Sequence, residues 1–158
     1  MMVLYSHELT SDHDSAMLSS MTVTPYKRLG GAAALRELVE RFYGYMDTLP
    51  EVQTVRRMHA DDLGSAKEKL FKFLSGWLGG PDLYWQEFGH PRLRMRHFPF
   101  SIGKAERDQW LLCMRKALDD ILPDDRFRDA LYQALAQTAD HMINRIDSSS
   151  EGNHSPCA

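Results

Sequence analysis

Apolar positions recur along this chain at intervals of three and four residues, and no strong period-two run appears. In AAALRELVERFYGYMDTL, residues 32–49, they fall at Leu35, Leu38, Val39, Phe42, Tyr43 and Met46. That rhythm belongs to one face of a helix, and the spacing predicts a helix stopped by Pro50. Gly30-Gly31 just ahead can turn the chain sharply out of a short preceding segment. Residues 50–59, PEVQTVRRMH, read as a short turn of α or 3-10 helix. The rhythm returns over residues 63–78 at Leu63, Ala66, Leu70, Phe73, Leu74 and Trp77, and Gly79-Gly80-Pro81 ends it. Two further helices are expected over residues 104–122 and 124–145. The first carries Trp110, Cys113, Met114 and Leu118 on one side, flanked by Leu111 and Leu122. The second carries Phe127, Leu131, Leu135, Thr138, Met142 and Ile146. With no internal repeat, the pattern predicts an all-α domain of four main helices.

Between the second and third of these helices runs PDLYWQEFGHPRLRMRHFPFSIG, residues 81–103. It is too long to be an idle link, and long connections in compact domains usually carry function. A short helical turn is expected over residues 92–97. Pro99 ends it and pushes Phe98 toward an extended form. The first twenty-one residues lack a basic start and a continuous apolar run, so they make a poor signal peptide and read as a flexible extension. Residues 22–146 form the domain, and residues 147–158, DSSSEGNHSPCA, read as a disordered tail.

A chain of 158 residues has room for one domain with a real core and a cofactor. Its net charge of −3 gives the whole molecule no reason to seek nucleic acid, so any basic patch must be local. Cys113 and Cys157 lack metal-type spacing, and no Cys-x-x-Cys-His occurs, so covalently attached c-type haem is not supported. A reducing cytoplasm fits this cysteine usage, and no stretch is long and apolar enough to span a bilayer. The one local concentration of cations is RLRMRHFPFSIG, residues 92–103, with three arginines around His97 and then Phe98-Pro99-Phe100. Neighbouring cations and apolar rings both disfavour a charged imidazole. A neutral imidazole with a free lone pair is a good metal ligand or base. Taken singly, His97 reads as a hydrogen-bonded structural histidine, and Trp110 and Tyr43 as core. His59 lies evenly between pocket lining and exposed loop. His90 reads as a loop anchor, Lys67 to Lys69 as a solvated helix face, and Cys113 as a buried small hydrophobe.

Together these residues resemble the group II truncated haemoglobins over residues 25–146. The resemblance is carried by Arg41-Phe42-Tyr43, by the glycine pairs at 30–31 and 79–80, by GHPRLRMRHFPFSIG from Gly89, and by ERDQWLLCM from Glu106. The glycine pairs alone are weak. The His97 block together with Tyr43 and Trp110, in that order and spacing, is specific. The resemblance implies a shortened globin in which two helix pairs sandwich haem b. It implies His97 as the proximal iron ligand, with its second ring nitrogen bonded to a backbone carbonyl. Arg96, with Arg92 or Arg94, would grip the propionates. Phe98 and Phe100 would pack on the porphyrin, with Phe73 and Tyr84 completing the cofactor site. On the ligand side Tyr43 and Trp110 match the family's donors. Ala66 leaves a route comparatively open, and Leu70 walls the pocket. His59 departs from the tyrosine or phenylalanine common in the family. It would donate to the ligand as a third polar group or approach the iron itself.

The implied function is reversible binding of O₂ and other diatomic ligands in the cytoplasm. Several donors favour slow release, hence scavenging or redox work on NO or peroxide over bulk transport. Such turnover needs a reductase partner. No nucleic acid or membrane partner is implied, and the oligomeric state is monomer or weak homodimer. The alternative is a non-haem helical module that binds acidic partners or RNA through the Arg92–Arg96 patch, and the net negative charge weighs against it.

Overall fold

The computed structural model describes residues 23–146, and all regular structure among them is helical. The expected extension over residues 1–21 and the tail over 147–158 lie outside the described residues. Helix α1 spans Pro25–Leu29, and the Thr24 hydroxyl oxygen accepts from the Lys27 N–H at 3.2 Å. Proline at its first position loses no intrahelical bond. Gly30, at φ +124°, breaks α1 from α2, Gly31–Thr48. A Cβ at Gly30 would meet that of Ala34 at 2.7 Å, so this corner takes only glycine. A 3-10 turn over Pro50–Val52 leads into α3, Gln53–Arg57. Helix α4 spans Gly64–Trp77, α5 Leu83–Phe88 and α6 Leu93–His97. Helix α7 spans Lys104–Ile121, and α8 spans Asp125–Asp140. The Asp124 carboxylate caps α8 by accepting from the Arg126 and Phe127 N–H groups.

Helix α2 packs on both α4 and α7, and α7 packs on α8. These are the two helix pairs that the resemblance implies. The core between them joins Leu35, Leu38, Val39, Phe42 and Met46 of α2 to Cys113, Met114 and Leu118 of α7. Leu74 and Trp77 of α4 and Phe127 and Leu131 of α8 close it. Each such side chain contributes roughly 1.5–3 kcal/mol on burial. The periodic stripes read from the sequence are these buried faces.

Three local expectations are corrected. Helix α8 stops at Asp140 rather than near residue 145, and Ile146, expected on its core face, is 77% exposed. The chain leaves the helix because the Asn144 N–H bonds to the Ile102 carbonyl at 2.8 Å. The connection over 81–103 contains two short helices, α5 and α6, where one turn was expected. A six-residue helix shows too little of the period to be seen, although Tyr84 is buried with its ring edge-on to Phe73 at 6.3 Å. Phe98 is helical, at φ −55° and ψ −35°, not extended. Hydrogen bonds from Phe98 to Met95 and from Phe100 to His97 hold this turn against the preference of the following proline.

Candidate functional site

A cavity of about 630 Å³ lies where α2, α4, α6, α7 and α8 approach one another. That is within the roughly 300–1,000 Å³ of ordinary ligand and cofactor sites. Val55, Leu70, Leu74, Leu93, Ile102 and Leu135 make much of its wall apolar. His97, the last residue of α6, lines it. Its Nδ1 lies 2.6 Å from the Leu93 carbonyl oxygen, one turn back. A carbonyl can only accept, so Nδ1 carries the proton, and in the neutral ring Nε2 keeps the lone pair. The Phe100 ring stands 6.5 Å away and also lines the cavity.

His59, just beyond α3, repeats this construction. Its Nδ1 lies 3.0 Å from the Val55 carbonyl oxygen, again one turn back. Burial is the main cause that lowers its pKa, helped by charge on Arg56 and His97 and opposed by the bond to Val55. The ring is therefore neutral at pH 7, with Nε2 as an acceptor or a ligand rather than a donor. Tyr43 is buried in α2, edge-on to His59 at 5.7 Å between centroids. Its hydroxyl reaches the Ala66 carbonyl only at 3.5 Å, a long bond that a better acceptor can displace. Burial raises the Tyr43 pKa far above the usual range, so the hydroxyl keeps its proton. Trp110 of α7 packs on Phe42 at 5.0 Å and lines the cavity with an indole that can only donate.

Helix α4 supplies Ala66, Lys69, Leu70 and Phe73 to the wall, a single i, i+3, i+4, i+7 stripe. Tyr84 and Arg96 line it from α5 and α6, with the Arg96 guanidinium 5.5 Å from the Tyr84 ring centre. Arg96 Nη2 holds two long bonds, at 3.3 Å and 3.4 Å, to the carbonyls of Phe88 and His90. Among the described residues neither Arg96 nor Lys69 pairs with a carboxylate. Other charged groups at the wall are committed: Arg107 to Asp108 and Asp140, Glu106 to the Gly103 N–H and Arg145, and Asp62 to the Gly64 N–H. Among the described residues, two cations without acid partners at a slot with a largely apolar wall fit a flat apolar cofactor with two carboxylates. No three His, Cys, Asp or Glu side chains converge on a metal position among the described residues. Two histidines without further protein ligands suit a metal whose other ligands arrive with a cofactor.

Three residues singled out from the sequence for the cofactor do not line this cavity. Phe98 is 57% exposed, beside the Arg94 guanidinium. Arg92 opens α6 at φ +43°, with its N–H donated to His90 Nδ1, and lines a separate surface pocket beside Met95. Arg94 instead donates to the carbonyls of His141 and Ile143, at 2.7 Å and 2.9 Å. The three arginines therefore diverge and do not surround His97. Lys69 is exposed, as the solvated-face reading expects, and also lines the cavity, which that reading does not include. Its place three residues after Ala66 and one before Leu70 was the available signal. Lys67 and Glu68 do face outward, paired with Glu40 and Arg36.

The family model for bacterial-like globins matches residues 24–144. The chain is 37% identical over 123 residues to the group 2 truncated hemoglobin YjbI of Bacillus subtilis, covering 78% of this chain and 90% of that one. A group II 2-on-2 hemoglobin from the plant pathogen Agrobacterium tumefaciens has a similar structure. Its TM-score is 0.78 at 45% identity, covering 82% of this chain and 99% of that one. A cold-adapted truncated hemoglobin from the Antarctic marine bacterium Pseudoalteromonas haloplanktis TAC125 matches with a TM-score of 0.76 at 45% identity. It covers 78% of this chain and 99% of that one. The helical sandwich, its cavity and these likenesses agree, and the chain belongs to the bacterial-like globins as a group II truncated haemoglobin.

Proposed function

We propose that the cavity holds haem b non-covalently, with His97 as the protein's iron ligand and with Tyr43 and Trp110 as donors to a small ligand. Family membership implies haem binding and the binding of O₂ and related diatomics. Haem iron, once held, supplies a coordination position for such ligands. His97 contributes the Nε2 lone pair, and its Nδ1 bond to Leu93 fixes the ring and strengthens the donor. Arg96 and Lys69 are the cations suited to the propionates, with Arg96 the better matched to a two-pronged grip. Phe73, Tyr84 and Phe100 replace water with apolar contact around the ring. Tyr43 and Trp110 place two protons where a polarised diatomic gathers negative charge. His59 offers a lone pair to the same space, which favours its approach to a metal over donation to the ligand.

Two well-kept donors hold a polarised ligand firmly and release it slowly. That supports scavenging, or redox work on NO or peroxide, over bulk transport. Turnover of that kind would draw electrons from a reductase, since the sequence carries no flavin or nicotinamide motif. The setting is the cytoplasm, where Cys113, buried and unpaired, stays a thiol. No described helix is long and apolar enough to cross a membrane.

The observation that carries this reading is one cavity lined by a backbone-anchored histidine and by two proton donors. The test is the visible spectrum of protein purified with haem supplied. Wild type is expected to show a strong Soret band. His97→Ala is expected to lose it while its far-ultraviolet circular dichroism stays helical. A wild-type protein that remains colourless sinks the proposal.

A further inference from the structure

Helix α6 carries His97 yet has no buried residue and packs extensively on no other helix. Besides Leu93 on the core and the long Arg96 bonds to Phe88 and His90, what holds it comes from the segment that follows α8. After α8 the backbone crosses to the segment that follows His97, and Asn144 and Arg145 both donate their N–H groups to the Ile102 carbonyl, at 2.8 Å and 3.2 Å. The Asn144 side chain completes the join. Its Oδ1 accepts the Ile102 N–H at 2.9 Å. Its Nδ2 donates to the Phe100 carbonyl at 2.8 Å and to the carbonyl of His97 itself at 3.2 Å. At either side, Arg94 ties α6 to the carbonyls of His141 and Ile143, and the buried Glu106 carboxylate joins the Gly103 N–H to Arg145.

We infer that Asn144 is a positioning residue for His97: it fixes the histidine's own carbonyl and the turn behind it, and so sets how the imidazole is presented to the cavity. This rests on the haem reading above. The chemistry calls for an amide. Only a group with two donors and one acceptor can serve two carbonyls and one N–H at once. Aspartate has the same shape but no donor, and its charge would face two carbonyl oxygens. Alanine leaves all three backbone groups without this partner. The bond from His97 to Leu93 fixes the ring only relative to α6. Asn144 fixes α6 relative to the domain.

The test compares wild type with Asn144→Asp and Asn144→Ala, each loaded with haem. Transfer of ferric haem to excess apomyoglobin is expected to quicken about 10- to 100-fold, the usual size of an outer-shell effect at a metal site. The iron–histidine stretching band of the ferrous protein, read by resonance Raman, is expected to shift or broaden. A merely structural role elsewhere would leave that band alone. Wild-type rates with an unchanged band in both variants would overturn the inference. Should neither variant fold, amide exchange in wild-type holoprotein decides the matter. The Ile102 N–H is expected to exchange slowly, and exchange as fast as in an exposed loop would overturn the proposal. Wild type that takes up no haem sinks the haem reading, whereas variants indistinguishable from a haem-loaded wild type sink this one.

Discussion

The two histidines of the cavity are anchored alike, each by Nδ1 to a carbonyl one turn back, but the regions that carry them are built differently. Tyr43, Trp110 and His59 sit on or beside helices whose opposite faces are core. Tyr43 and Trp110 both pack on Phe42, which is fully buried. His97 sits on a five-residue helix with no fully buried residue, where Leu93 alone leans on the core, and hydrogen bonds to and from residues more than forty positions away in sequence hold it. Dispersion and burial fix the side proposed to hold the small ligand, while directional polar bonds dominate on the side proposed to hold the metal. A packed side resists small changes and fails only when the domain loosens. A hydrogen-bonded side can lose its alignment while the domain stays folded.

Removing the packing should therefore damage both sides together. Phe42→Ala deletes a ring with no exposure at the crossing of α2 and α7. It is expected to cost about 3–5 kcal/mol of stability, the usual range for a buried phenylalanine truncation. Urea titration of the haem-free protein checks this. A loss under about 1 kcal/mol, well below that range, would mean that the donor side does not rest on the core.

The same contrast explains which parts of the chain were legible. Leu35, Leu38, Val39, Phe42 and Met46 announce themselves because a long helix with one buried face must repeat its apolar residues at the helical period. Long helices α2, α4 and α7 were read to within about a residue at each end, inside the usual uncertainty of helix boundaries. Tyr43, Ala66 and Leu70 follow from the same stripes once a cavity is assumed. Helices α5 and α6 are too short to show a period: the turn over residues 92–97 was expected and α5 was not, and with no fully buried residue α6 carries little hydrophobic pattern. Its role was visible only through the motif resemblance around His97. Asn144 was invisible because its partners are backbone groups, which every sequence supplies equally. The arginines misled for a related reason. Their charge suggested one destination, whereas local geometry sends Arg94 and Arg96 to different carbonyls.

Within the packed side, donors can be removed without disturbing the frame. Tyr43→Phe removes one hydroxyl whose only bond here is a long one, and the ring keeps its edge contact with Phe42 at 4.8 Å. Trp110→Phe removes the other donor and part of the contact with Phe42. A hydrogen bond to a charge-bearing partner contributes about 1.5–3 kcal/mol, so each change is expected to speed O₂ release roughly tenfold or more. Stopped-flow displacement of O₂ by CO measures it. Stability should barely move for Tyr43→Phe. Unchanged release in both variants would mean that the packed side walls the ligand without holding it.

The smallest effect expected is at His59, and it separates the two histidines most finely. With Nδ1 committed to Val55 and burial keeping the ring neutral, Nε2 has no proton to give. His59→Phe, which brings no donor of its own, should therefore leave O₂ release within about threefold of wild type, the scale of less than 1 kcal/mol, unlike the two donor variants. Its signature lies in pH instead. Because burial lowers the folded-state pKa below the ordinary 6.5, the unfolded chain takes up the proton first on acidification. The stability tied to the neutral ring is complete above about pH 6.5 and is lost as pH falls from there through the folded pKa. Wild type should thus lose stability relative to His59→Phe between neutral pH and about pH 5, the range in which histidine changes charge. Parallel thermal melts of the haem-free proteins test this. Curves that stay parallel across that range would place His59 in water rather than against the core-backed wall, and the division between the two regions would then have to be drawn inside α3 rather than at α6.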